Sequence, residues 1–193
     1  MDPKQPISNA DAVVLWIKLL QGDEAAFSSL MRIFSQPMYQ YGIRIVNDGE
    51  FIEECIQNVF FELWKRREHL SATESVKFYL FKSLRNRVFR DHSKWKMHDS
   101  INEEYDFEVT FDIERHIIDQ ELSQETVLKL KELLNKLSKR QKEIVYLRFY
   151  EGLSQEKIAE MMGLNTQSVY NLLHVSIMRL RKHWLKSPVY YCL

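Results

Sequence analysis

Residues 154–182 read SQEKIAEMMGLNTQSVYNLLHVSIMRLRK, and this stretch decides the fold of its end of the chain. It divides at Gly163 into two helical patterns, the second longer and ending basic. A helix-turn-helix needs a small residue where its helices nearly touch, a turn that can bend, and apolar side chains facing inward. Ala159 supplies the first and Gly163 the second; Ile158, Met162, Leu164, Val169 and Leu172 supply the third. Ser154 and Thr166 stand where N-caps belong. The second helix continues with Leu173, Ser176, Ile177, Leu180 and Trp184 on one face, and Pro188 marks its end.

Upstream, Ser138-Lys139-Arg140-Gln141 is a capping-box start, in which Ser and Gln satisfy each other's free backbone donors. The helix it opens carries Ile144, Val145, Leu147 and Phe149 and is expected to end at Gly152. Before it, a helix from Gln124 places Val127, Leu130, Leu133, Leu134 and Leu137 on one face. Residues 98–123 lose the periodicity and read as an acidic flexible linker. Tyr105, Phe107 and Phe111 are possible surface anchors there, and a short helix near residues 112–120 is the alternative.

The N-terminal half is also helical in pattern. A first helix from about Asn9 to Gln21 has Ser8 or Asn9 as cap and Gly22 as stop. Asp23 caps a second, with Ala26, Phe27, Leu30, Phe34 and Met38 at helical spacing, and Pro37 predicts a kink or break near Ser35–Gln36. Residues 50–70 form a third, amphipathic helix. Its apolar stripe holds Phe51, Ile52, Cys55, Ile56, Val59, Phe60, Leu63 and Trp64, opposite Glu53, Glu54, Gln57 and Asn58. A fourth runs from Ser75 to about Lys96, with Phe81, Leu84 and Val88 assigned to the core and Phe78, Tyr79 and Trp95 left open.

The fold class expected is therefore all-α. Two small helical domains, residues 1–97 and 124–187, are joined by the linker at 98–123, with a tail at 188–193. The C-terminal domain is a four-helix unit containing the helix-turn-helix. Five Gly and four Pro among 193 residues suit helices better than a turn-rich β fold.

A formal net charge of zero hides segregation. Residues 1–59 carry 4 basic and 8 acidic side chains, residues 60–98 carry 10 and 4, residues 99–128 carry 1 and 10, and residues 129–193 carry 12 and 5. Two basic blocks around an acidic one point to two anion-binding surfaces. Aromatics among the cations of residues 77–96 suit single-stranded nucleic acid, where bases stack on rings and cations hold phosphates.

Other classes are disfavoured. The apolar run at residues 12–20 is interrupted by Lys18 and is too short for a bilayer, so no membrane insertion is expected. The N-terminus lacks the basic and apolar regions of an export signal. Cys55 and Cys192 make neither a disulfide framework nor a metal pair, and a reduced cytoplasmic protein is expected. The histidines and carboxylates show no ligand spacing, and no Gly-rich phosphate loop is present. No catalytic residue, metal or cofactor is assigned.

Residues 138–182 resemble the promoter −35-binding region of sigma-70-family factors. IEECIQNVFFELWKRREHL followed by VKFYLFKSLRNRV resembles their core-polymerase-binding and −10-binding regions. Having these two regions and a short linker resembles the extracytoplasmic-function (ECF) group. The resemblance implies a promoter-selecting subunit with core RNA polymerase (β′ and β subunits) and promoter DNA as partners, and makes an anti-sigma factor plausible. Glu53, Glu54, Gln57 and Asn58 are implied in docking on the β′ coiled coil. Ser71, Thr73, Lys77, Tyr79, Lys82, Arg85 and Asn86 are implied at the −10 element as its strands separate. Gln167, Ser168, Tyr170, Asn171, His174, Arg179 and Lys182 are implied at the −35 element. This chain has Leu172 and Val175 where many relatives carry arginines, and Arg90 where relatives often have Asp or Asn. The alternative is a helix-turn-helix regulator that binds no polymerase.

Overall fold

The computed structural model describes residues 7–95, 107 and 124–185. All regular structure among them is helical. The chain divides into two compact units, Met1–Glu104 and Tyr105–Leu193, with the division falling inside the stretch read as a linker.

The first unit comprises α1 (Asn9–Leu20), α2 (Glu24–Ile45), α3 (Gly49–Lys65), a 3-10 turn (Arg67–His69) and α4 (Val76–Trp95). Side chains start each of the first three helices. Ser8 Oγ accepts from the Asp11 amide, Asp23 Oδ1 from the Ala25 and Ala26 amides, and Asp48 Oδ1 from the Phe51 amide. Such caps satisfy backbone donors the first turn cannot.

Of the kink or break expected near Ser35–Gln36, the break does not occur: α2 runs through Pro37. Proline removes the amide that would reach the Ile33 carbonyl, a cost of about 3 kcal/mol. Phe34, Met38, Tyr41 and Ile45 are buried on both sides of it. Each such burial contributes about 1.5–3 kcal/mol, so packing holds the helix through the defect. The core of the unit is completed by Trp16, Ile52, Phe60, Leu80, Phe81 and Leu84, with Tyr41 stacked on Phe81 at 5.3 Å between centroids. Where α2 crosses α3, a Cβ on Gly42 would lie 2.7 Å from Ile52 Cγ2, so only glycine permits this approach.

The second unit comprises α5 (Gln124–Asn135), α6 (Lys139–Val145), a π turn (Tyr146–Tyr150), α7 (Gln155–Met162) and α8 (Thr166–Leu185). Its core includes Leu133, Leu134, Leu137, Ile144, Leu147, Ile158, Val169 and Leu173. Both bonds of the capping box form: the Ser138 amide donates to Gln141 Oε1 at 3.1 Å, and the Gln141 amide to Ser138 Oγ at 3.3 Å. The helix expected to reach Gly152 instead widens at Tyr146, leaving Phe149 64% exposed, not in the core. Tyr146 Oη donates to the buried Glu151 Oε1 at 2.6 Å, and its ring packs between Phe107 and Tyr150. Phe107 is thus an anchor within this unit. Tyr105, Phe111, the alternative helix near residues 112–120 and the tail lie outside the described residues.

Candidate functional site

Three surfaces present the side chains singled out in the sequence. The first is the outer face of α3. Ile52, Cys55, Ile56, Val59, Phe60 and Leu63 are buried beneath it, which fixes the helix. Glu53, Glu54 and Gln57 are exposed and Asn58 half-buried. Along the row Glu53, Gln57, Phe61, Lys65, spaced four apart, Phe61 is 62% exposed with Lys65 Nζ 5.9 Å from its ring centroid. Sequence reading missed Phe61, because its neighbour Phe60 claimed the apolar stripe. The face thus has an acid and amide end, an exposed ring, and a cation. Cys55 beneath it is no reactive thiol: burial, helped by the Asp91 charge, pushes its pKa up to about 11.

The second surface is the loop before α4 and the outer face of that helix. The loop backbone is tied to α1, with Trp16 Nε1 donating to the Ser71 carbonyl at 3.1 Å and Asn9 Nδ2 to the Glu74 carbonyl at 2.8 Å. Thr73 Oγ1 accepts from the Ser75 amide, and Ser75 Oγ from the Phe78 amide, so Thr73 braces the helix start. Ser71 and Asn86 are exposed; Lys77, Tyr79, Lys82 and Arg85 are half-buried. Tyr79 meets Trp16 edge-on at 4.8 Å, and burial raises its phenol pKa against the opposing effects of a Ser83 hydrogen bond and the Arg66 charge.

These residues do not all share a face. Lys77 and Asn86 are nine positions apart, which is two and a half helical turns and therefore opposite sides of α4. Lys77 Nζ lies 5.6 Å from the centroid of buried Phe81. Phe78, Lys82, Arg85 and Phe89, in contrast, follow one another at spacings of four, three and four. Lys82 covers the Phe78 ring at 5.8 Å and Arg85 the Phe89 ring at 4.5 Å. Helical spacing alone does not assign Phe78 or Phe89 to this row; the pairing of each ring with a cation one turn away is the signal in the sequence. Further along, Asp91 ion-pairs with Arg87 and, at 3.4 Å, with Arg90.

The third surface is the helix-turn-helix. Gly163 takes left-handed backbone (φ 65°) with nothing within 4 Å of a would-be Cβ, so conformation and not space requires glycine. Ser154 caps α7 as expected. The cap of α8 is Asn165, not Thr166: Asn165 Oδ1 accepts from the Ser168 amide at 2.7 Å. Met161 is buried where Met162 was expected, and Ile177 is 39% exposed, off the core face.

Gln167, Tyr170, Asn171, His174, Arg179 and Lys182 are exposed and Ser168 half-buried. Gln167 Nε2 donates to Asn171 Oδ1 at 3.0 Å, and Tyr170 stacks on His174. The row continues from Asn171 through exposed Val175 and Met178 to Lys182. Arg179 turns aside, its guanidinium reaching Gln141 Oε1 at 3.5 Å. The capping glutamine of α6 therefore also steadies α8.

Among the described residues no group of three or more His, Cys, Asp or Glu could hold a metal ion, and no helix is long and apolar enough to cross a membrane.

Both units match known protein families. Residues 30–96 match the sigma-70 region 2 model and residues 128–180 the sigma-70 region 4 model, which together cover well over half of the chain. The ECF RNA polymerase sigma factor SigK of Mycolicibacterium vanbaalenii is 21% identical over 178 residues, 92% of this chain and 91% of that one. RNA polymerase sigma factor YlaC of Bacillus subtilis is 22% identical over 84% of this chain and 94% of its own. In fold, the chain is similar to CnrH, solved in complex with the cytosolic domain of CnrY, at 16% identity and a TM-score of 0.57 over 91% of this chain and 98% of that one. It is likewise similar to the sigma factor RpoE solved with the anti-sigma factor NepR from Bartonella quintana, at 17% identity and a TM-score of 0.56 over 83% of this chain and 98% of that one.

Proposed function

Because this chain belongs to the sigma-70 family, in its ECF group, we propose that each of the three surfaces performs one step of promoter selection in the cytoplasm. The chain binds core RNA polymerase, recognises the −35 and −10 elements and helps open the duplex.

The outer face of α3 docks on the polymerase β′ subunit. Glu53, Glu54, Gln57 and Asn58 complement a basic surface, and Phe61 supplies apolar area at its centre. The loop at residues 71–75 and the outer face of α4 hold the −10 element. A base leaving the duplex costs a few kcal/mol of lost stacking, and each base stacked on an aromatic ring recovers about 1–3 kcal/mol. Lys82 and Arg85 cover the Phe78 and Phe89 rings in the free chain, an interaction worth about 0.5–1 kcal/mol at exposed sites and about 2 kcal/mol when desolvated, these four half-buried side chains lying between the two. An incoming base replaces the cation on the ring, and the displaced cation gains a phosphate contact in exchange. Opening is driven by binding, with no bond made or broken by the chain.

The row from Gln167 to Lys182 enters the major groove of the −35 element. An anti-sigma partner that covers any of these surfaces would silence the chain. The observation that carries the reading is the ordered pair of sigma-70 regions, each on its own compact unit with its polar face exposed. Purified chain added to core polymerase should start transcription at defined promoters in a genomic library. Core enzyme that remains promoter-blind sinks it.

A further inference from the structure

The exposed amides of Gln167 and Asn171 are hydrogen-bonded to one another, four residues apart on α8. A side-chain amide carries an acceptor oxygen and a donor nitrogen. With Gln167 Nε2 donating to Asn171 Oδ1, Gln167 Oε1 is left as an outward acceptor and the Asn171 amide nitrogen as an outward donor. Reversing both amides exchanges these roles, yet an acceptor still stands beside a donor, so the conclusion does not depend on which atom is nitrogen. In the major groove adenine presents a donor, N6, beside an acceptor, N7; guanine presents two acceptors, N7 and O6.

We propose that the Gln167–Asn171 pair is a preorganised adenine reader that selects A·T and rejects guanine at the base it faces. This rests on the major-groove reading of α8 given above. Guanine would bring its O6 against the outward oxygen, a lone-pair repulsion. The forked guanidinium that suits guanine is absent from the first turns, since the first cation on α8 is Arg179, which reaches Gln141. The mutual bond, worth about 0.2–0.5 kcal/mol at this spacing, also biases both side chains toward the reading rotamer before DNA arrives, which lowers the ordering cost of binding.

The test is enrichment of duplexes randomised across the −35 element, using the full chain both alone and with core polymerase. Adenine should be enriched roughly tenfold or more over guanine at one position. Gln167→Ala and Asn171→Ala should each abolish that preference while leaving the other positions and the far-ultraviolet circular dichroism unchanged, and Gln167→Arg should move it toward guanine. Guanine enriched by the native chain, an adenine preference unchanged in both alanine variants, or no base preference overturns the proposal. Failure of the sigma reading looks different: the chain alone still enriches adenine while core polymerase gains no promoter from it.

Discussion

Trp16 and Ser71 are 55 residues apart in sequence, yet the indole N–H of one donates to the backbone carbonyl of the other at 3.1 Å. The ring is fully buried, so α1 fixes the loop that leads into α4. Trp16→Phe keeps most of the packing and loses the bond. It should lower stability by about 1–3 kcal/mol, read by denaturant unfolding. Reactivity of −10 thymines to permanganate should fall further than polymerase affinity does. An unchanged melting signal would show that the loop needs no such anchor.

Gly42→Ala should destabilise the first unit by about 1–3 kcal/mol, because the added methyl meets Ile52 at 2.7 Å and the two helices must separate. Gly163→Ala meets no atom and should cost only about 1–2 kcal/mol, through its left-handed backbone. Thermal unfolding of both variants separates overpacking from backbone strain.

Glu53→Lys combined with Glu54→Lys, or Phe61→Ser alone, should weaken association with core polymerase on the order of tenfold or more without changing helical content. All three side chains are exposed, so the fold does not depend on them. Association measured by fluorescence anisotropy checks this. Full affinity in both variants would show that this face of α3 is not the docking surface, whereas no association of the native chain would favour a regulator that binds no polymerase.

Cys55 titrates at about 11 in the folded chain against 9.0 ordinarily. A raised folded pKa means the native state keeps its proton while the unfolded chain releases it. That stabilisation is whole below pH 9 and is lost as pH rises toward 11, on the order of 3 kcal/mol. The fall in melting temperature between pH 8.5 and 10.5, as two test conditions, should be smaller in Cys55→Ala than in the native chain. The native thiol should also resist alkylation at neutral pH until the chain unfolds.

The helices were legible because periodicity, caps and breakers agreed at most boundaries, as at Asp23, Ser138, Ser154 and Gly163. The misreadings came where a local rule met tertiary packing. Pro37 announces a break that the burial of Phe34 and Met38 overrides. Thr166 and Asn165 are both good caps, and only backbone geometry decides between them. Phe149 and Ile177 are apolar at core spacing yet exposed, the first because the π turn shifts its phase. Among the candidate site residues, exposure of Glu53 and Gln167 followed from helical phase. The turn of Arg179 toward Gln141 did not, since it joins residues 38 apart.

The π turn has a consequence for insertions and deletions. Its backbone closes from the Glu151 amide to the Tyr146 carbonyl, five residues back, so it holds one residue more than an α turn. One residue corresponds to about 100° of helical rotation. The stretch from Tyr146 to Tyr150 is thus a phase setter, and deleting one residue there would turn the hairpin of α7 and α8 to a new azimuth relative to α6. Between α6 and the reading helix, chain length is itself a determinant of aim.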